Sequence, residues 1–343
     1  MTTTQLTPQK TSVQRIPLNT LAIGLGLSGL ADAWGAATDS LAFPAIVGEL
    51  VWIPAAVAWV WLIVAHASRG VRSEIPLATQ LRHPAQGPIF AILPITGMLL
   101  AGELLTILPA AGVTLYVASL VAAALFAGWL LARWLRGGLD LDAVHGGYLL
   151  PTVAAGFVGA TVAAHARLAL LGWGLFAVGT FFWVAMTLLV LARLAFRPAL
   201  PDPLVPTLAI LVAPPGVAGV ALFALAGDHP SAFAAAIAGL GVLLVLVQLA
   251  LVPRYLKLRF SLGFWSFTFP TAAIATDAMV WVRIEAFPGW QVVTVVLLAA
   301  VTALIGGIGV RSIVEVAPPR RESAAELVLT RADDAIAEPE RAA

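Results

Sequence analysis

Not one of the 343 residues is cysteine. Disulfides, thiol nucleophiles and cysteine-ligated metal centres are therefore excluded. Charge is the second shortage. Lys, Arg, Asp and Glu together make up 11% of the chain, where soluble domains carry roughly a quarter. So few charges cannot coat a water-facing surface. The net charge of +1 leaves no basic excess with which to hold a nucleic acid. The five histidines are scattered without metal-ligand spacing, so neither a metal nor a cofactor is expected. The opening stretch MTTTQLTPQKTSVQRIPLNT lacks the short apolar core of a secretory signal. The first hydrophobic run is therefore expected to stay in place as a span.

Hydrophobic residues are what the chain has in excess, at 60% with a mean hydropathy of +0.96. A bilayer is the natural solvent for that composition. Runs of about the 20 residues a helix needs to cross recur at 20–38, 44–66, 88–109, 113–135, 146–165, 168–194, 204–226, 231–252, 261–283 and 289–314. The expectation is an all-α membrane protein. Its ten transmembrane helices fall within residues 20–316, between polar cytoplasmic tails at 1–19 and 317–343. Of the 19 Lys and Arg, all but Arg167 and Arg283 fall at one set of ends. The positive-inside rule then places both termini in the cytoplasm and the chain, multi-pass, in the inner membrane. The loops on the other side are so short that the ten spans read as five helical hairpins.

Breakers recur in alternate spans, and the even spans are mostly uninterrupted, Pro54 in the second being the exception. The third has Pro94, the fifth Pro151, the seventh Pro214 and Pro215, and the ninth Pro270. Their separations of 57, 63 and 56 residues mark a repeat of one hairpin. The first span has glycines instead, at Gly24, Gly26, Gly29 and Gly35. Proline inside a membrane helix bends it, and freed carbonyls are tolerated where they face protein or a water-filled cavity. Kinked odd helices are therefore expected to line a central path, with straighter even helices outside. Taken singly, each proline is equally a packing device of membrane helices; the alternation favours the path.

Five stretches, one in each odd span, resemble a known family. They are IGLGLSGLADAW (23–34), HPAQGPIFAILPITGMLLAGEL (83–104), PTVAAGFVGA (151–160), VPTLAILVAPPGVAG (205–219) and FWSFTFPTAAIATDAM (264–279). The resemblance is to the tellurite-resistance/dicarboxylate transporter family, which takes in bacterial tellurite-resistance proteins, C4-dicarboxylate (malic acid) transport proteins and plant slow anion channels. It implies ten helices in five hairpins, a pore within each protomer of a homotrimer, and small inorganic or carboxylate anions as partners. It also implies a phenylalanine gate in the ninth span, at Phe269, with Phe267 as the fallback. The residues alone put Phe269 about 14 Å into its span, beside Pro270, and leave open that it is an ordinary packing aromatic.

Asp32, Glu103 and Asp277 are the carboxylates well inside spans, all in odd helices. A charge in hydrocarbon is costly, so each must face protein or water. Counted from the helix ends they share a depth in the outer half. They are candidate protonatable vestibule residues, with inter-helix hydrogen bonding as the structural alternative. Gly24-Leu25-Gly26-Leu27-Ser28-Gly29 formally matches GxGxxG, but no strand precedes it, so close helix packing explains it better. The expected function is transport of small anions, by channel or carrier. The alternative is a proton-coupled dicarboxylate, sulfite or tellurite exporter. An enzyme is disfavoured, because no nucleophile sits beside a base.

Overall fold

A computed structural model describes residues 14–316; the expected tail at 317–343 and most of that at 1–19 lie outside the described residues. Two compact units divide at Gly306. The described part of the second is the end of one helix, where Ser312 Oγ donates to the Ile308 carbonyl at 2.8 Å. Every regular element among the described residues is helical. The long ones are α1 (Ala22–Leu41), α2 (Ala45–Arg72), α4 (Ile92–Ile107), α5 (Pro109–Leu135), α6 (Ala155–His165), α7 (Ala169–Phe196), α8 (Ala213–Ala226), α9 (Ala232–Tyr255), α10 (Thr268–Glu285) and α11 (Trp290–Val316), with a short α3 (Leu77–Arg82) between α2 and α4.

Eight helical segments are long and apolar enough to cross a membrane, against ten expected. The two that fall short are α1 and α10. The latter has 18 residues, three of them charged (Asp277, Arg283, Glu285); α1 carries Asp32, Asp39 and four glycines. Both answer to protein neighbours rather than to lipid. Helix α1 lies against α2, α4 and α10, and α10 lies against α1 and α8.

The helices at the odd spans begin in an unusual way. A 3-10 stretch precedes α1 (Leu18–Leu21), α4 (Gly87–Ala91), α8 (Asp202–Val212) and α10 (Leu262–Phe267). A 3-10 turn (Gly146–Leu149) and a π turn (Leu150–Ala154) precede α6. The sequence predicts bends at the prolines, and the structure shows where in its helix each one stands. Pro94, Pro214, Pro215 and Pro270 each stand in the first turn of their α-helix, and Pro151 stands in the π turn. Proline's fixed φ is already set for the α conformation that begins there. Each proline thus marks the change of helix type.

These five helices close on one another. Helix α1 packs on α4, α4 on α6, α6 on α8, α8 on α10, and α10 back on α1. Burial separates them from the rest. The segments that include α6 and α8 are 89% and 83% buried over their most apolar stretch, whereas α5, α7 and α9 are 28%, 17% and 11%. The outer helices show Leu, Val and Ile to their surroundings, among them Leu125, Leu188 and Val242.

Small residues set the spacing, as expected where helices associate without a hydrophobic drive. A Cβ on Gly216 of α8 would stand 2.7 Å from the Ala273 carbonyl carbon and the Ile274 nitrogen of α10. One on Gly156 of α6 would stand 2.8 Å from the Gly179 Cα of α7. The glycines of the false nucleotide motif serve the same end: Gly24 abuts Trp59, Gly26 abuts Thr268 and Trp265, and Gly29 abuts Phe269.

Candidate functional site

Two cavities lie within the ring, and one side chain is common to their walls together with Val217. That side chain is Phe269. The larger cavity holds about 350 Å³ and the smaller about 30 Å³. Each takes residues from all five inner segments: the small one from Leu25, Ile92, Ala154, Val217 and Pro270, the large one from Gly29, Leu99, Val158, Val220 and Ala273. Phe269 itself is 5% exposed. It sits where the Leu262–Phe267 stretch becomes α10, a junction held by Thr268 Oγ1 donating to the Trp265 carbonyl (2.7 Å) and Thr271 Oγ1 to that of Phe267 (2.7 Å).

Phe267 goes elsewhere. It lines neither cavity and packs edge-on against Tyr255 of α9, with centroids 4.8 Å apart. Two residues along a helix turn the side chain by about 200°, which is why neighbours so close in sequence face different surroundings.

The three acids separate. Asp32 and Glu103 both line the large cavity and lie within electrostatic reach of each other. Neither has an ion-pair partner among the described residues. His165 and Arg283 share that cavity, but the Arg283 guanidinium is engaged by Asp228 at 2.8 Å. Asp277 is 3% exposed and does not line the cavity. Its carboxylate is aimed at Gly219 of α8, and Oδ1 accepts no hydrogen bond.

A clamp that sequence reading missed holds the His83-Pro84 motif at the entry to the third span. His145 is fully buried. Its Nδ1 accepts from the Gly147 N–H (3.1 Å), so the proton rests on Nε2, which donates to the Ala85 carbonyl (3.1 Å). Tyr148 completes the clamp by donating to the Pro84 carbonyl at 3.0 Å. The one local signal was the pair Gly146-Gly147, the first of which abuts the Thr207 carbonyl. Burial pushes the imidazole of His145, which precedes the apolar span, down from its ordinary 6.5 to about 4; its bond to Ala85 opposes this and Arg193 adds to it.

An imidazole that binds its proton less tightly folded than unfolded leaves stability intact above pH 6.5. Stability is lost as pH falls from there through 4, by on the order of 3 kcal/mol. His145→Gln, whose amide can still donate to Ala85, should flatten that loss. Melting temperature in detergent against pH is the measurement. Equal slopes for wild type and variant would remove His145 as the cause.

The family model for voltage-dependent anion channels matches residues 15–313. The tellurite resistance protein TehA homolog of Haemophilus influenzae is 25% identical over 264 residues, covering 77% of this chain and 80% of that one. The family match runs through all five inner segments rather than resting on one motif. The chain therefore belongs to the voltage-dependent anion channel family, within the tellurite-resistance/dicarboxylate transporter group that its motifs resemble.

Proposed function

We propose that this protein passes small anions across the inner membrane along a path inside each protomer, and that Phe269 is the gate on that path. The observation that carries the reading is the place of Phe269 in the common wall of two cavities lined by all five inner helices. The family's anion-channel character supports the class of solute. In this reading α1 and α10 complete ten spans in five hairpins, with both termini cytoplasmic. The exposed aliphatic faces of the outer helices meet lipid or neighbouring copies in a trimer.

The cysteine-free background makes the path testable one position at a time. Ala273→Cys and Val220→Cys, in the large cavity, should react with membrane-impermeant thiol reagents in vesicles. Val242→Cys and Leu246→Cys, on the exposed face of α9, should stay unlabelled. Equal reaction at both sets would contradict a central path.

The placement of Asp32 and Glu103 in one cavity without a cationic partner favours a second reading, a proton-coupled exporter of dicarboxylate, sulfite or tellurite. Asp39 stands in the same wall, so an anion entering the cavity meets three carboxyl groups, either charged or neutral. Flux should therefore rise as external pH falls, and Asp32→Asn or Glu103→Gln should flatten the rise. A proton-coupled carrier also shifts its reversal potential with the proton gradient, whereas a channel follows the anion alone. Flux independent of pH from about 5 to 8, with both substitutions silent, would leave the acids a purely structural part.

A further inference from the structure

The end of α5 carries a feature that the anion path does not use. Arg133 and Arg136 lie at the basic end of this helix, and Arg82, at the end of α3, joins them. The three guanidinium-bearing residues share a cavity of about 130 Å³ with Trp129 and Ala132. Arg133 Nη2 donates to the Arg82 carbonyl at 3.3 Å, which draws the two segments together. Among the described residues none of the three has a carboxylate partner; the ion pairs there join Arg197 to Asp142 and Arg283 to Asp228. An adjoining cavity, which Arg82 and Arg133 also line, holds Asp140; its Oδ1 accepts from the Asp142 N–H at 3.0 Å, and among the described residues it forms no ion pair with either arginine. The side nearest Trp129 is the one free of acid.

A ridge of exposed side chains leads from there into the apolar region. Val117, Val121, Leu125 and Trp129 are 48%, 52%, 71% and 39% exposed. They fall four residues apart, so they form a ridge inclined to the axis of α5 that turns about 40° further round the helix at each step. Arg133 is the next residue of that row, and Arg136 lies one turn beyond it on the same side. From Val121 to Arg133 is about 18 Å along the axis, against about 15 Å for one leaflet's hydrocarbon. Tryptophan at the boundary is the ordinary marker of the headgroup level. Guanidinium forks match phosphate oxygens in pairs.

We infer that this cavity and the row leading to it bind one anionic phospholipid, its phosphodiester on Arg82, Arg133 and Arg136 and its acyl chain along Leu125 and Val121. Arginines that only oriented the chain during insertion would have no reason to converge from α3 and α5 on one pocket. A free phosphate would use the arginines but not the apolar row below them. The inference depends on the chain being a membrane protein and not on where anions cross it.

The test is native mass spectrometry of the full chain in detergent, titrated with phosphatidylglycerol and, separately, with phosphatidylcholine. Wild type should retain phosphatidylglycerol in preference to phosphatidylcholine, and excess inorganic phosphate should not displace it. Each arginine is expected to contribute about fivefold in affinity. Arg133→Gln with Arg136→Gln should then weaken retention by about twenty-five-fold, and Arg259→Gln, outside the pocket, should leave it unchanged. The inference is overturned if the double variant binds as wild type does, if both lipids bind equally, or if phosphate competes as well as lipid. It is overturned too if Leu125→Cys forms a disulfide between copies, since protein would then cover the row. Should the double variant not fold, the wild-type lipid preference and phosphate competition decide alone.

Discussion

Phe269→Ala should raise anion flux through reconstituted protein by about tenfold or more, a barrier change of about 1.4 kcal/mol. The ring stands between a cavity of about 350 Å³ and one of about 30 Å³. Truncation to a methyl group joins them and lets water through a constriction that an apolar plug keeps dry. Burying a phenylalanine usually matters for stability, and its removal from a packed core costs about 3–5 kcal/mol. Here two sides of the ring already face voids, so the melting temperature should fall less than that figure implies. Phe267→Ala is the control, because it loosens the contact with Tyr255 without opening either cavity. Unchanged conductance in well-folded Phe269→Ala protein would sink the gate assignment.

Gly216→Ala should destabilise the protein by about 1–3 kcal/mol, the range for overpacking. The new methyl group would meet main-chain atoms, the Ala273 carbonyl carbon and the Ile274 nitrogen at 2.7 Å and the Ala273 oxygen at 2.9 Å. Main chain cannot rotate away as a side chain can, so α10 itself must shift. Phe269 is one turn from Ala273 on α10, and anion flux should change along with stability. Gly174→Ala on the exposed face of α7 is the contrast, since nothing stands within 4 Å of the added carbon. That substitution should be neutral or stabilising by up to about 1 kcal/mol. Melting temperature and the monodisperse fraction in detergent report both. Indistinguishable behaviour of the two variants would mean that α8 and α10 are not in such close register.

The membrane character and the alternation of helix roles were legible because proline, glycine and charge act locally. Pro94, Pro151, Pro214 and Pro270 stand in four of the five inner elements, although α2 and α9 carry Pro54 and Pro253. The helix type before each proline was not legible, because α and 3-10 geometries differ by one residue in the bonding pattern and packing decides between them. Nor was the aim of Asp277. Its depth can be counted along the chain, but its direction around α10 depends on Gly219 across the crossing. The His145 clamp stayed hidden because it joins residues about sixty positions apart, with only a glycine pair as a local sign. Asp32 and Glu103 show the complementary case, since shared depth on two inner helices was enough to foresee that they share surroundings.

On the proposed path the small cavity would act as a hydration filter. Among its lining residues Ser266 offers the one hydroxyl, and most of the others are aliphatic. At about 30 Å³ it has room for no more than a couple of water molecules. An ion passing there leaves most of its solvation shell behind, and the wall returns little in exchange. That loss grows with charge and with compactness, so anions should rank by how weakly water holds them rather than by fit to a binding site. Large, diffuse monovalent ions head such a series, and compact or doubly charged ones fall at its end.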